Sequence, residues 1–403
     1  MSGAQRVMPA SERLLSIDVL RGIAVLAVVV RHLPFSTLLT PGLGDGRTGV
    51  LPEWVTSFTH YGEYGVHLFL VISGFCIHLR WARRGSLDEG IDFLPFWRRR
   101  LLRLYPPYFI ALLGSLAAVF VGYGLLAGGL ARGLPAAFGY QDVASLLLDL
   151  GLLVLLLQNL TNASQRVGNG PFWSLALEEQ LYMLYFPLLW LRRRVGWSLA
   201  LGTAAAVSAV WRSWGVAAWE HPPAFWYVVG PAHWFEWALG ALAVEAHLGR
   251  VTLPSWARSW WAFALLLGGA VMTDLPELLH YQLPMGIVGR DPLFGAAFFV
   301  LVNRVCEAER EQRLATGRLV EYLGRVGIWS YSIYLTHNPL MVATKQVLMR
   351  LGAPVGMILV GRIVVAILAG YLFHRLVEQQ FISAARRLSL PRRVEPVLKG
   401  SSA

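Results

Sequence analysis

The first long apolar run of the chain contains two residues suited to acid–base and anion chemistry, Arg21 and His32, in a segment that opens Ser16-Ile-Asp-Val-Leu-Arg-Gly-Ile. They are eleven positions apart. This is close to three turns of an α-helix, so both side chains leave one face, about 16 Å apart along the axis. A neutral imidazole can take the proton of a hydroxyl group, and a guanidinium can stabilise an anion or a polarised carbonyl. Asp18 is placed to form an i,i+3 ion pair with Arg21. The alternative is that Arg21 reaches the membrane interface and His32 only caps the helix.

Further charged residues stand beside or within other apolar runs. Arg100 and Arg103 are three residues apart and share a helix face, an arrangement suited to phosphate oxygens or to anionic lipid headgroups. Glu178 lies inside an apolar run, where a carboxylate needs a partner, and Arg21 is the expected cation. A structural ion pair and a catalytic role are equally compatible with this pattern.

Five more residues are candidates for contacting or supporting the substrate. His67 opens the second apolar run, just before the small pair Ser73-Gly74, which allows close helix packing. If His67 faces the interior, it would be a polar contact near His32. The others lie at the start of the fourth run and in the ninth run: Trp173, Ser174, Tyr331 and His337.

No metal site is predicted, because the remaining histidines lack a convincing ligand spacing. These are His60, His78, His221, His233, His247 and His280. The segment His374-Arg-Leu-Val-Glu378 reads as a charge cluster at the membrane interface.

The elements that must position these residues are membrane helices. Of the 403 residues, 56% are hydrophobic and only 15% are charged, whereas a soluble domain carries about 25% charged residues. This composition excludes a soluble enzyme, a disordered scaffold and a disulfide-stapled secreted domain. The net charge of +11 comes from basic residues beside apolar runs, which is typical of membrane proteins and argues against nucleic-acid binding.

We predict an all-α bundle of ten membrane spans. Their expected ranges are 14–33, 64–80, 105–127, 172–191, 197–216, 226–247, 257–273, 285–303, 329–349 and 356–376. The run 144–158 is short for a crossing. Arginine-rich segments at 80–104, 192–194 and 304–325 and after 377 fall together on the cytoplasmic side only if 144–158 does not fully cross. We therefore predict a re-entrant or half-spanning helix there, with both termini cytoplasmic.

Five segments together resemble the acyltransferase-3 family of integral membrane O-acyltransferases. They are Arg-x10-His at 21–32, Gly-Val-x-Leu-Phe-x-Val-x-Ser-Gly-Phe at 65–75, Arg-x-x-Arg-Leu-Tyr-Pro at 100–106, Trp-Ser-Leu-x-x-Glu-x-x-x-Tyr at 173–182 and Ser-Tyr-x-x-Tyr-Leu-x-His-x-Pro at 330–339. The likeness divides the chain into a cytoplasmic segment 1–13, a membrane acyltransferase domain 14–382 and a basic tail 383–403. Two positions depart from the family pattern: His67 replaces a frequent acidic residue, and the ending at 378–381 reads Glu-Gln-Gln-Phe.

The resemblance implies transfer of an acyl group from cytoplasmic acyl-CoA, a co-substrate and not a bound cofactor, to a hydroxyl group. The small acetyl group is the default. It also implies that Arg21 and His32 are essential and that Arg100 and Arg103 meet the CoA phosphates. On this basis we predict His32 as general base, with transient acylation of His32 as the less favoured variant. Arg21 would stabilise the reacting carbonyl or hold the pantetheine arm, with Asp18 or Glu178 orienting it.

The expected acceptor is a carbohydrate, a glycolipid or a glycosylated small molecule, and the expected location is the bacterial inner membrane. The sequence is also compatible with two other functions. A proton-coupled transporter could use the same buried Arg, His and Glu as a relay, and a non-catalytic partner in envelope assembly would show no turnover. The sequence does not indicate an oligomeric state.

Overall fold

The computed structural model describes residues 13–33, 58–83, 92–121, 133–161, 169–218, 224–278, 284–314 and 317–387. These residues form helices joined by turns, with no strand among them. The helices are α1 Leu15–Arg31, α2 Gly65–Ala82, α3 Phe93–Val119, α4 Val143–Val154, α5 Trp173–Ala218, α6 Gly230–His247, α7 Trp260–Leu278, α8 Pro284–Arg310, α9 Arg318–Arg350, α10 Val355–Phe373 and α11 Gln379–Arg387. A separate helical turn covers Leu134–Ala137.

Each predicted span coincides with a helix, but several helices extend beyond the apolar run that predicted them. α3 joins the arginine-rich segment to the third span, and α9 begins at Arg318, well before residue 329. The fourth and fifth spans form α5, which is interrupted where Gly196 adopts φ 78°, a conformation that glycine accepts without strain. The predicted short helix is α4, whose 12 residues rise only about 18 Å and cannot cross a bilayer core.

Three of the described helices are long and apolar enough to span a membrane: Phe58–Ala82, Phe93–Val119 and Val355–Ala385. The fold is therefore an all-helical integral membrane bundle. The number of ten crossings stays a prediction, because three described helices meet the length and hydropathy of a span. The side on which the termini lie also stays a prediction, and residues 1–12 and 388–403 fall outside the described residues.

Glycines bring the central helices into backbone contact. A Cβ placed on Gly74 in α2 would lie 2.0 Å from the carbonyl oxygen of Trp237 in α6, which confirms the predicted close approach at Ser73-Gly74. α1 and α9 approach as closely, since a Cβ on Gly327 would lie 1.7 Å from the carbonyl oxygen of Asp18. α1 and α9 run parallel, so that their His32 and His337 side chains meet at one end of the bundle.

Candidate active site

A cavity of about 280 Å³ lies between α1, α2, α3, α5 and α9. Its charged lining consists of five arginines and one glutamate: Arg21, Arg80, Arg99, Arg100, Arg103 and Glu178. Ser174 and Tyr331 also line it, while Asp18, His32, His67, Trp173 and His337 do not. The structure thus brings six of the eleven predicted site residues into one cavity with an excess of positive charge.

The start of α3 and the end of α2 supply the arginines of one end of the cavity, which we call the arginine end. Arg100 lies over the ring of Tyr182, 4.7 Å from its centroid. Arg103 has a buried Nε that donates to no protein acceptor within the described residues. The hydroxyl group of Tyr331 donates to the carbonyl oxygen of Leu104 at 2.8 Å and so ties α9 to α3. This end can receive an anionic group.

Arg21 lies in the cavity without the ion pairs that the sequence predicted. Asp18 contacts the Nε of Arg13 at 3.3 Å instead. Glu178 accepts hydrogen bonds from Ser73, at 2.7 Å, and from the hydroxyl group of Tyr182. Both predicted partners of Arg21 are therefore wrong as ion pairs. Within the described residues its guanidinium makes no hydrogen bond or ion pair, and Arg21 is among the residues that line the cavity.

The other end of the cavity carries two hydroxyl groups. Tyr334 donates to the carbonyl oxygen of Pro171 at 2.6 Å, and its own oxygen accepts from Ser174. Both residues line the cavity, whereas Trp173 packs partly buried against the core beside them. The hydroxyl pair is therefore held in place by backbone.

His32 and His337 lie one layer beyond this hydroxyl pair. The ring of His337 is 5.7 Å from that of Tyr334 and 5.1 Å, edge to face, from that of His32. The Nδ1 of His32 is 2.8 Å from the carbonyl oxygen of Val28, and the Nδ1 of His337 is 2.8 Å from that of Tyr334. Because a carbonyl oxygen only accepts, each Nδ1 carries a hydrogen, and the lone pair of each neutral ring is on Nε2.

A base needs such a free lone pair. Within the described residues, the Nε2 of His32 has no hydrogen-bond partner, and the Nε2 of His337 is buried without one. Both rings are thus fixed by backbone contacts while the atom that could accept a proton stays open.

Arg362 of α10 is a residue that the sequence reasoning missed. Its side chain is 1% exposed, and it donates to the carbonyl oxygens of His32, at 2.8 Å, and Leu33, at 2.6 Å. The available signal was a single arginine within the apolar run of the last span.

His67 belongs to a different constellation from the one predicted. Its Nδ1 lies 2.7 Å from a carboxylate oxygen of Glu236, not near His32. His67, His233, Glu236 and Asp291 are all buried, with potential ligand atoms within 4.8 Å of one another. The guanidinium of Arg212 lies 2.6 Å from Asp291. We call these five residues the Arg212 cluster.

The histidines and carboxylates of the Arg212 cluster are of the types that bind metal ions, and their spacing in the sequence did not indicate that they lie together. However, Arg212 lies against both carboxylates, 2.6 Å from Asp291 and 3.9 Å from Glu236, and Arg290 contacts Asp291 at 3.1 Å. Two guanidinium groups thus already neutralise the two carboxylates. A divalent cation would have to displace one of them, so the geometry is that of a buried ion-pair network.

Two ionisable residues of the segment that begins at His374 are buried within the bundle, and the place of this segment at the membrane interface stays a prediction. His374 and Glu378 are 4% and 2% exposed. Glu378 accepts from Ser332 of α9 and lies 2.7 Å from the Nδ1 of His374. The π-helical turn His374–Glu378 therefore fastens the end of α10 to α9.

Comparisons with known proteins agree with this architecture. The acyltransferase-3 family model, which describes an acyltransferase domain, matches residues 14–375. The acyltransferase MdmB of Streptomyces mycarofaciens is 30% identical over 92% of this chain and 92% of its own length. The putative peptidoglycan O-acetyltransferase YrhL of Bacillus subtilis is 24% identical over 93% of this chain, but only 57% of YrhL is covered. The O-acetyltransferase OatA of Staphylococcus aureus is 28% identical over 43% of this chain and 24% of its own length. No solved structure matches.

The chain therefore belongs to the acyltransferase-3 family of membrane proteins. It is an acyltransferase, and its relatives of the O-acetyltransferase type support oxygen as the atom that is acylated.

Proposed function

We propose that the protein transfers an acyl group, acetyl by default, from cytoplasmic acyl-CoA to a hydroxyl group of a carbohydrate or glycoconjugate. The observation that supports this proposal is the cavity lined by five arginines and one glutamate. Its lining residue Tyr334 lies against His337, and His337 in turn lies against His32. A binding site for a neutral solute would not need this excess of positive charge.

The arginine end is the proposed site of the CoA phosphates. Arginine forms forked, charge-assisted hydrogen bonds with phosphate oxygens. Arg103 offers a buried Nε that has no partner among the described residues, and Arg100 is held in place over Tyr182. Arg100 and Arg103 therefore bind the nucleotide portion, while the acylated arm extends toward Ser174.

In this proposal Arg21 binds the pantetheine arm of acyl-CoA. Arg21 and His32 are about 16 Å apart along α1, so one thioester carbonyl cannot contact both at once. Of the two roles predicted for Arg21, holding the pantetheine arm fits this distance better than stabilising the carbonyl at the moment of attack. The hydroxyl groups of Ser174 and Tyr334 then lie where the thioester would end.

His32 acts as the general base. Its Nε2 takes the proton of the acceptor hydroxyl, whose oxygen attacks the thioester carbonyl carbon. When the carbon–sulfur bond breaks, the acyl group remains on the acceptor oxygen, and the leaving thiolate takes the proton back from the imidazolium. Tyr334 and His337 separate the cavity from His32, so this layer must open before transfer. In the less favoured variant the acyl group first moves to His32 Nε2.

The proposed carbohydrate acceptor rests on the names of the relatives, which include a putative peptidoglycan O-acetyltransferase.

In the proposed orientation the arginine-rich segments face the cytoplasm, in keeping with the positive-inside bias, and the His32 end faces the opposite side of the bacterial plasma membrane. Acyl groups would thus cross while CoA stays inside.

The test is CoA release from acetyl-CoA by purified protein in detergent, with a panel of glycans, for wild type and His32→Ala. We expect acceptor-dependent release by wild type and its loss in His32→Ala, with acetyl-CoA binding retained. Full activity of the variant would refute the role of His32. Absence of any CoA binding by wild type would refute the donor assignment and favour a carrier.

A further inference from the structure

The C-terminal end of α1 depends on a side chain from a helix more than 300 residues away. Carbonyl groups in the last turn of a helix have no partner within it, and in an apolar bundle an unpaired carbonyl is strongly unfavourable. The backbone amides of His32 and Leu33 satisfy Val29 and Val30 at 3.1 and 3.0 Å. The carbonyls of His32 and Leu33 accept from Arg362.

We infer that Arg362 is a positioning residue for His32. This inference rests on the proposed function, because it assumes that His32 Nε2 accepts the proton. Two contacts fix the imidazole: its Nδ1 donates to Val28 within the helix, and its own carbonyl is held by Arg362. The first sets the ring orientation, and the second sets where the last turn of α1 lies relative to α9 and α10.

The cost of burying Arg362 supports a specific role. Its side chain is 1% exposed in a helix that is otherwise apolar, and no carboxylate pairs with it among the described residues. An apolar residue of similar length would pack there without carrying a charge into the bundle. The guanidinium also complements the negative end of the α1 dipole. The arginine thus provides what an apolar residue cannot, donors for two carbonyls.

The first experiment compares Arg362→Met and Arg362→Lys with wild type, using folded, monodisperse protein. We expect Arg362→Met to lower kcat between about 10- and 100-fold, since misplacement of a reacting group by about 1 Å can cost that much. KM for acetyl-CoA should stay unchanged, because the arginine end is untouched. Lysine, which offers one ammonium group to the same carbonyls, should restore part of kcat. If Arg362→Met does not fold, Arg362→Gln, which keeps an amide donor, replaces it.

A double-mutant cycle separates positioning from a general loss of stability. If Arg362 acts through His32, Arg362→Met should lower the residual rate of His32→Ala no further, measured with radiolabelled acetyl-CoA. Arg212→Met is the matched control, because Arg212 is equally buried and also donates to a backbone carbonyl, that of Ala232. Arg212→Met should change kcat by the same factor in wild type and in His32→Ala.

The outcomes separate the positioning role of Arg362 from the role of His32 as base. Wild-type kcat in folded Arg362→Met, together with an inactive His32→Ala, would overturn the positioning role alone. A fully active His32→Ala would overturn the proposed function first. A further loss in the double variant that matches the loss in Arg362→Met alone would show that Arg362 acts independently of His32, and would also overturn the inference.

Discussion

Replacement of Gly327 by alanine should separate α1 from α9. A Cβ at Gly327 would lie 1.7 Å from the carbonyl oxygen of Asp18, far inside the 3.4 Å at which ordinary contact begins. The nearest atoms are backbone atoms of α1, including the amide nitrogen of Gly22 at 3.0 Å, so no flexible side chain can turn away. The helices must therefore move apart by more than an ångström.

We expect Gly327→Ala to lower the free energy of unfolding by about 1–3 kcal/mol, the range of overpacked cores. Because Arg21 precedes Gly22 at the same crossing, we also expect a lower kcat. The matched control is Gly268→Ala in α7, where an added Cβ meets nothing within 4 Å. Alanine there should stabilise the helix by about 0.5–1 kcal/mol through its better helix propensity.

Thermal unfolding in detergent, followed by tryptophan fluorescence, measures the two opposite shifts, and CoA release measures kcat. An unfolding midpoint of Gly327→Ala equal to that of wild type would contradict the close α1–α9 contact. A lower midpoint for Gly268→Ala would show that alanine destabilises this bundle for reasons other than the clash.

Three further predictions concern other parts of the molecule. Arg103→Met should raise KM for acetyl-CoA about 10-fold, the loss of one charge-assisted contact, whereas Arg98→Met, at an exposed position outside the cavity lining, should not; equal effects would contradict a CoA site at the arginine end. Asp142 accepts from the amide of Ser145 at 2.8 Å as the N-cap of α4, a bond that holds the pKa of its carboxyl below the usual range. Asp142→Ala should speed hydrogen exchange in α4, whereas Asp142→Asn should not. In wild type, protection from exchange should be present above the usual carboxyl pKa and should fall as the pH drops through the lowered pKa of Asp142. Unchanged exchange in the alanine variant would refute the cap. EDTA should leave activity unchanged, because arginines neutralise the Arg212 cluster, and a loss restored by added Zn²⁺ would make that cluster a metal site.

The positions of the helices could be predicted from the lengths of the apolar runs. Those lengths do not show how far a helix continues into polar sequence, and there the predicted helix boundaries were wrong. Hydropathy locates the part of a helix that lies in apolar surroundings, so it placed α9 correctly but missed its first turns from Arg318. Those turns are polar, yet their backbone hydrogen bonds continue the helix.

Six of the eleven candidate residues could be predicted from the sequence to share one cavity, but the ion pairs of Arg21 could not. Arg21 and Glu178 were identified as ionisable residues within apolar runs, and Arg103 by its spacing from Arg100 beside such a run; the fold brings all three into one cavity. Spacing along one helix suggested Asp18 as partner of Arg21, but Arg13 competes for that carboxylate. Contacts such as that of Glu178 with Ser73 depend on which helices neighbour each other, and a single sequence does not encode that in its spacing.

The most direct test of the account is whether acyl-CoA occupies the arginine-lined cavity. Cys76 lines it and, of two cysteines in the chain, is the only thiol left in Cys306→Ser. We predict that acetyl-CoA, which carries no free thiol, slows alkylation of Cys76 in a saturable manner at concentrations near KM, and that Arg103→Met weakens this protection. Unchanged alkylation of Cys76 at saturating acetyl-CoA, in protein that turns over, would place the donor elsewhere and contradict the central claim.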